Sequence, residues 1–171
     1  MKKAMRIRFW KIINEIRDNN PKTVKELRKL GIKCKLISGG AFRNVYKILT
    51  VPLVIKFPNC DEGKEHTLNE VKAVKKINRL RKYKELRQFM PEIYHSNSSG
   101  VILMQEYKVL QAFTYEHREV VSRLMFIIIK LIYAGEKWDE DFDVHGGNLG
   151  FDEHCNVKFV DLGYFMRKED E

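Results

Sequence analysis

Three polar side chains near the C-terminus have the types and the spacing that phosphoryl transfer from a nucleotide requires. Asp143 and Asn148 are the ends of the segment Asp-Val-His-Gly-Gly-Asn, and Asp161 follows the apolar run that starts at Val157. A carboxylate such as Asp143 can accept the proton of an attacking hydroxyl group. The amide oxygen of Asn148 and the carboxylate of Asp161 are hard ligands of the kind that magnesium (Mg2+) prefers. We therefore expect Asp143 to be the catalytic base and Asn148 and Asp161 to be metal ligands.

These residues resemble the signature of the protein-kinase-like superfamily, which pairs an Asp-x-x-x-x-Asn catalytic loop with an Asp-Phe-Gly metal motif. Leu162 stands here where phenylalanine is usual, and His145 makes the loop similar to those of aminoglycoside kinases and of small phage and bacterial kinase-like proteins. The His-Arg-Asp tripeptide of conventional kinases is replaced by Asp141-Phe142-Asp143. The spacing to Asn148 favours Asp143 as the base and leaves the roles of Asp141 and His145 open.

The resemblance implies a glycine-rich hairpin and then a strand that carries a lysine. Gly39 and Gly40 lie in the turn of a strand, turn, strand pattern, and Val45 stands where an apolar residue contacts adenine. A glycine pair in an ordinary hairpin turn is the alternative explanation of the same residues. Lys56 lies near the end of the next apolar segment, where the resemblance implies that it contacts the phosphates of the nucleotide.

The same resemblance implies a glutamate on the following helix that pairs with the lysine. Apolar residues recur at helical spacing over residues 67–80, and Glu70 lies beside the apolar face that they form. We therefore expect Glu70 to be the partner of Lys56. Glu65 is the competing candidate.

Two further strands are predicted on either side of the turn at residues 97–100. The resemblance implies that the second strand leads into a hinge between two lobes. Met104 then takes the gatekeeper position, and Glu106 and Tyr107 lie in the backbone segment that binds adenine. An ordinary place in the core is the alternative interpretation of Met104.

The expected fold class is α+β, a protein-kinase-like two-lobed fold with an antiparallel-sheet N-lobe and a truncated helical C-lobe. We expect a helical extension over residues 1–33 that packs on the N-lobe, an N-lobe over 34–107 and a minimal C-lobe over 108–171. Residues 119–134 are apolar on nearly every face, which predicts a buried helix. Eight residues follow Gly163, so the activation segment and the helices that cradle a peptide substrate are expected to be absent. A piece of a longer protein would look the same.

The function that the resemblance implies is that of a compact kinase, a phosphotransferase that uses ATP and Mg2+. Its acceptor would be a hydroxyl group of a protein, of a small molecule or of the protein itself. Two alternatives stay open. A catalytically weak or inactive kinase-like module that binds a partner protein would account for the glycine loop, in which Ser38 and Arg43 stand at the first and third glycine positions. A basic nucleic-acid-binding protein on an unrelated fold would leave the ordered series of motifs unexplained.

Charge is distributed unevenly along the 171 residues, which carry a net +9. Residues 1–90 hold 24 Lys and Arg against 8 Asp and Glu, whereas residues 91–171 hold 8 against 15. The basic residues are densest from Lys72 to Arg87, which we call the basic stripe. An acidic protein partner and a solvated helix face both explain it. Nucleic acid is not favoured, because a single aromatic residue, Tyr83, lies among the basic ones and no recognition-helix motif is present.

Cysteine usage and hydropathy indicate a location and exclude some classes of protein. Cys34, Cys60 and Cys155 are odd in number and scattered, which fits a reducing cytoplasm, that of the host cell if the protein is viral, better than a disulfide scaffold. Their spacing matches no closed zinc site. Arg123 and Lys130 interrupt the most apolar segment, so we expect no membrane span. A homo-oligomer is neither predicted nor excluded.

Overall fold

A computed structural model describes residues 3–109, 115–133 and 148–162. The chain divides into two compact units. The first consists of residues 1–68 with 92–106, and the second of residues 69–91 with 107–171. The domain bounds that were expected from the sequence stay a prediction.

Two helices and a five-stranded sheet form the first unit, and a long helix begins there and continues into the second unit. Their bounds are Lys3–Asn19 for α1, Val24–Lys29 for α2, Cys34–Gly39 for β1, Arg43–Ile48 for β2, Leu53–Pro58 for β3, Asp61–Arg79 for the long helix α3, Ile93–Ser96 for β4 and Ile102–Gln105 for β5.

The five strands form one antiparallel sheet in the order β1-β2-β3-β5-β4. A tight hairpin joins β1 to β2, and α3 lies in the connection between β3 and β4. This sequence of hairpin, lysine strand, helix and hinge strand is the one that the kinase resemblance implies. The predicted α+β class, with an antiparallel sheet in the N-terminal half, is confirmed.

Successive side chains of β3 point to opposite faces of the sheet, and the two faces have different environments. Leu53, Ile55 and Phe57 belong to a hydrophobic core that also contains residues of α1 and α2. Val54 and Lys56 alternate with them and therefore lie on the other face. The two N-terminal helices thus cover one face of the sheet and leave Lys56 on the opposite one.

The first helix packs on the sheet through a single apolar stripe. Phe9, Ile13 and Ile16 are spaced by four and three residues and are buried, as expected for the core-facing side of an amphipathic helix. The helix ends at Asn19, and Asn20 takes a left-handed φ of 48° just before Pro21.

The second helix begins as its sequence predicts. The hydroxyl oxygen of Thr23 accepts a hydrogen bond of 3.2 Å from the backbone N–H of Glu26, while the Glu26 carboxylate accepts one of 2.7 Å from the N–H of Lys22. Such reciprocal capping satisfies donors that a helix start otherwise leaves unpaired.

The second unit contains a three-stranded antiparallel sheet and a helix within its described residues. Its elements are β6 Lys108–Val109, α4 Tyr115–Tyr133, β7 Leu149–Phe151 and β8 Val157–Phe159, with sheet order β6-β7-β8.

The prediction that α4 is buried on nearly every face is wrong for the residues whose side chains are described. Leu124 and Ile127 are buried, but Phe126 is 69% exposed and Arg123 is exposed as well. Leu124 and Ile127 are three residues apart on one side of the helix, so a stripe rather than the whole circumference is covered.

The basic stripe contains a side chain with a structural role. The guanidinium group of Arg87 donates hydrogen bonds to the carbonyl oxygens of Ile77 (3.2 Å) and Leu80 (3.0 Å) at the end of α3. The last carbonyls of a helix have no partner within it, so Arg87 caps α3. The Leu80 carbonyl, just beyond α3, also accepts a hydrogen bond of 3.1 Å from the N–H of Tyr83. Lys72 and Lys75, by contrast, are exposed.

The packing of α1 can be tested with one pair of isoleucines on the same helix. Ile16 is fully buried and Ile7 is 63% exposed. We expect Ile16→Ala to lower the free energy of unfolding in urea by about 2–5 kcal/mol, because it opens a cavity under the sheet. Ile7→Ala should change it by less than about 0.5 kcal/mol. Equal effects would contradict the packing of α1 on the sheet.

Candidate active site

The predicted site residues fall into both units, and the described residues show each group separately. Those in the first unit are Gly39, Gly40, Val45, Lys56, Met104 and Glu106, and those in the second are Glu70, Tyr107, Asn148 and Asp161. Asp143, with Asp141 and His145, lies outside the described residues.

The register of the first sheet brings three of the predicted residues to one face. Val45 lies directly opposite Lys56, and Lys56 lies opposite Ile102. Met104 pairs with Val54, two residues before Lys56. Directly opposed residues on antiparallel strands project to the same face. Val45, Lys56 and Met104 are therefore neighbours on the face that the N-terminal helices do not cover.

Burial makes Lys56 the most unusual of these side chains. It is only 3% exposed and lies on a strand whose neighbours are apolar. A buried ammonium group is costly unless partners compensate its charge. Lys56 is not without a partner in the structure.

Glu70, in the second unit, is also a charged side chain that is unusually buried. Its side chain is 0% exposed, whereas Glu65 on the same helix is exposed. Among the residues that the structure describes, Lys56 and Glu70 are the buried charged side chains. Of the two glutamates that the sequence left in competition, Glu70 is the buried one.

The glycine hairpin is closed by a hydrogen bond of 3.1 Å from the N–H of Gly40 to the carbonyl of Arg43. Neither Gly39 nor Gly40 takes a left-handed φ. A Cβ on Gly40 would meet nothing closer than the Arg43 carbonyl oxygen at 3.9 Å. The fold itself therefore does not require glycine at position 40. Its carbonyl accepts a hydrogen bond of 2.7 Å from the side chain of Asn59.

Two backbone N–H groups in the expected hinge segment, at residues 105 and 106, already donate hydrogen bonds within the protein. The N–H of Gln105 donates to the carbonyl of Glu92 and the N–H of Glu106 donates to that of Pro52, both at 2.9 Å. The Glu106 carboxylate forms a salt bridge of 2.5 Å with Lys47. Adenine could therefore use carbonyl oxygens here, but not these two amide donors.

The two predicted metal ligands lie at the same end of a hairpin. Leu149 of β7 pairs with Phe159 of β8, and the N–H of Val160 donates to the carbonyl of Asn148 at 2.8 Å. Asn148 immediately precedes β7, and Asp161 lies just after β8. Both residues are therefore at the open end of the β7–β8 hairpin.

Local interactions hold this hairpin in register. At its closed end the Asp152 carboxylate accepts hydrogen bonds of 2.9 Å from the N–H groups of His154 and Asn156. Slight desolvation acts to raise the pKa of Asp152, but the hydrogen bonds from Asn156 and His154 outweigh it and hold that pKa below its ordinary value.

Tyr107 is placed against the same hairpin. It is buried, and a Cβ on Gly150 would come within 2.9 Å of the Tyr107 Cβ. Gly150 therefore permits the close approach of Tyr107 to β7. The position of this side chain is set by packing within the second unit.

A magnesium ion suits the donors at the open end of the hairpin. In the described part of the chain no three His, Cys, Asp or Glu side chains group as a metal cluster. Mg2+ does not need one, since it is commonly held by one or two protein oxygen ligands together with phosphate oxygens and water. The amide of Asn148 and the carboxylate of Asp161 fit that requirement.

Sequence reasoning missed two residues that shape the glycine hairpin, Asn59 and Gly63. Asn59 follows β3 directly and bonds to the hairpin turn. Gly63 lies in the first turn of α3 against Phe42. Glycine early in a helix is a weak signal of close backbone approach, and asparagine after a strand reads as an ordinary turn residue.

Comparisons with known proteins give a weak structural likeness and no match in sequence. No protein-family model matches the chain, and no curated protein matches it. Among solved structures, it is similar to that of the ternary complex of streptomycin, ATP and APH(2")-IIa, with a TM-score of 0.39 and 18% sequence identity. The match covers 54% of this chain and 31% of that one, so this chain spans less than a third of the solved chain. A superposition at this level carries no weight for function.

None of the helices in the described ranges is long and apolar enough to cross a membrane.

The burial of Glu70 can be tested against Glu65 on the same helix. We expect Glu70→Gln to lower the free energy of unfolding by about 3 kcal/mol, because the interactions that compensate a fully buried carboxylate would be lost. Glu65→Gln, at an exposed position, should change it by less than about 0.5 kcal/mol. Chemical denaturation measures both, and similar values for the two variants would contradict a constrained role for Glu70.

Proposed function

We propose that this protein is a compact phosphotransferase that moves the γ-phosphate of ATP to a hydroxyl group with the help of Mg2+. The observation that carries the proposal is the buried Lys56, which shares one face of the sheet with Val45 and Met104. Apolar side chains suit the base of a nucleotide, and a fixed cation beside them suits its phosphates.

The residues of the first unit would bind and orient the nucleotide. Val45 and Met104 would contact adenine, and the hinge at Glu106 and Tyr107 would offer it backbone groups. The backbone at Gly39 and Gly40 would lie close to the phosphates, because no side chain intervenes.

The residues of the second unit and the catalytic loop would perform the chemistry. Asn148 and Asp161 would hold Mg2+, which when bound neutralises charge on the phosphate oxygens. Asp143 would accept the hydroxyl proton while the acceptor oxygen bonds to the γ-phosphorus. The bond from that phosphorus to the β–γ bridging oxygen breaks, and ADP leaves.

The pairing of Lys56 with Glu70 belongs to the same proposal. The resemblance implies this pair, and each of the two side chains is buried within its own unit, where an uncompensated charge is costly. A glutamate in this role would orient the ammonium group toward the phosphates. The acceptor that we propose is a hydroxyl of a protein or of the chain itself.

Transfer of labelled γ-phosphate from ATP tests the reaction. We expect label on protein acceptors or on the chain, reduced about 100-fold or more in Asp143→Asn, because the base is lost. Asp161→Asn should lose activity as well, but part of it should return at high Mg2+ because a metal ligand rather than the base is missing. Asp18→Asn, at an exposed position of α1, is the control. Undiminished transfer in Asp143→Asn would exclude it as the base.

Nucleotide binding tests the role of Lys56 separately from catalysis. By isothermal titration, Lys56→Met should weaken ATP binding about 10- to 100-fold, the loss expected for a charge-assisted hydrogen bond. Adenosine, which has no phosphates, should bind both forms alike. Lys35→Met, at an exposed position of β1, should leave both affinities unchanged. Equal losses for ATP and adenosine would show that Lys56 supports the fold rather than the phosphates.

A module that binds a partner and transfers no phosphate is the second candidate. It is favoured by β1, the edge strand of the sheet, where Leu36 and Ile37 are about half exposed. An exposed edge strand with apolar side chains can add a strand from another protein. Absence of both nucleotide binding and label transfer would make this candidate the leading one. A salt-dependent shift with nucleic acid but none with nucleotide would instead favour the nucleic-acid alternative.

A further inference from the structure

Asn59 holds the turn of the glycine hairpin through its side chain and its backbone. Its Nδ2 donates to the Gly40 carbonyl at 2.7 Å, and its backbone N–H donates to the Phe42 carbonyl at 2.8 Å. Its Oδ1 accepts a hydrogen bond of 2.8 Å from the Asn44 side chain. Asn59 thus joins three alternate residues of the hairpin, 40, 42 and 44, to the end of β3.

The tip of the hairpin also rests on the first turn of α3. A Cβ on Gly63 would lie 1.8 Å from the Phe42 carbonyl oxygen, a distance that no side chain can occupy. The Phe42 ring lies 4.7 Å from the His66 ring, between centroids. The Cys60 sulfur accepts a hydrogen bond of 3.4 Å from the N–H of Gly63 and so caps the helix start. Hairpin and helix are therefore in direct contact within the first unit.

Asparagine is suited to this position because its amide has both a donor and an acceptor. Alanine would provide neither. Aspartate would accept from Asn44, but it would place negative charge against the Gly40 carbonyl oxygen.

A glycine-rich hairpin without hydrogen bonds like those from Asn59 loses conformational entropy when it closes on a ligand. Hydrogen bonds that fix the turn beforehand remove part of that cost. These hydrogen bonds leave the N–H of Gly40 bonded to the carbonyl of Arg43. The turn is therefore closed on one side by its own backbone and on the other by Asn59.

We propose that Asn59 is a positioning residue that holds the glycine hairpin, residues 39–44, in the conformation that receives the phosphates of the nucleotide. Gly63 has a complementary role, since it lets the tip of the hairpin sit against α3. The nucleotide part of this inference rests on the function proposed above. The mechanical part, that Asn59 and Gly63 fix the hairpin, stands on the contacts alone.

The test combines hydrogen exchange with steady-state kinetics on the full chain. In Asn59→Ala, amide exchange over residues 40–45 should rise at least about tenfold without nucleotide, because two side-chain hydrogen bonds are lost. The KM for ATP should rise about tenfold and kcat should change less than about twofold, since the chemistry is untouched. Gly63→Ala should act in the same direction by displacing the tip. The control is Asn78→Ala, which removes an exposed asparagine near the C-terminal end of α3 and should change neither exchange nor KM.

Each outcome decides a separate point. Unchanged exchange in Asn59→Ala overturns the mechanical part. Faster exchange with an unchanged KM overturns the positioning role and leaves Asn59 as a structural residue. A fall in kcat alone has the same consequence, because a residue that prepares the hairpin acts on nucleotide binding. Wild-type protein that binds no nucleotide overturns the proposed function and with it the nucleotide part, while the exchange result still decides whether Asn59 fixes the hairpin.

Discussion

The burial of one ammonium group, that of Lys56, is the constraint on which the first unit depends. Transfer of a charge out of water costs several kcal/mol unless it is compensated, so the residues around it must be held in place. The geometry of β3 helps to hold these residues in place. The alternate side chains of β3 pack under α1 and α2, and this packing fixes the strand while Lys56 points to the other face.

The two faces of the sheet therefore have different roles. One face is apolar and closed by the N-terminal helices, which contribute stability and no predicted site residue. The other carries Val45, Lys56 and Met104 in neighbouring positions. The N-terminal helices cover the apolar face of the sheet. If that face were exposed, it would favour association with other molecules.

Backbone proximity, more than side-chain chemistry, shapes the glycine hairpin. Phe42 can lie against α3 only because Gly63 has no side chain, and Asn59 bonds to the turn on the adjoining side. In the second unit a short β7–β8 hairpin with an aspartate-stabilised turn brings Asn148 and Asp161 to one end. The β7–β8 hairpin depends on hydrogen bonds between residues that are close in sequence, so its register forms locally. The glycine hairpin depends as well on hydrogen bonds from Asn59, which lies 15 and 19 residues away from its partners.

Periodicity and turn residues by themselves determined the elements of this protein: the hairpin over 34–48, the lysine strand, the helix that carries Glu70, the strands around residues 97–100 and the N-terminal helices. These follow from local alternation, helical spacing and capping, which a short window of sequence contains. Which side chains are buried was decided only by the tertiary structure. The pattern favoured Glu70 over Glu65 from its place beside the apolar face, but it did not show that Glu70 is fully buried. It overestimated the burial of Phe126, gave only a weak signal for Gly63 and gave none for Asn59. Burial and hydrogen bonding across 15 or 19 residues depend on how elements pack, and that information lies in the whole chain rather than in any one segment.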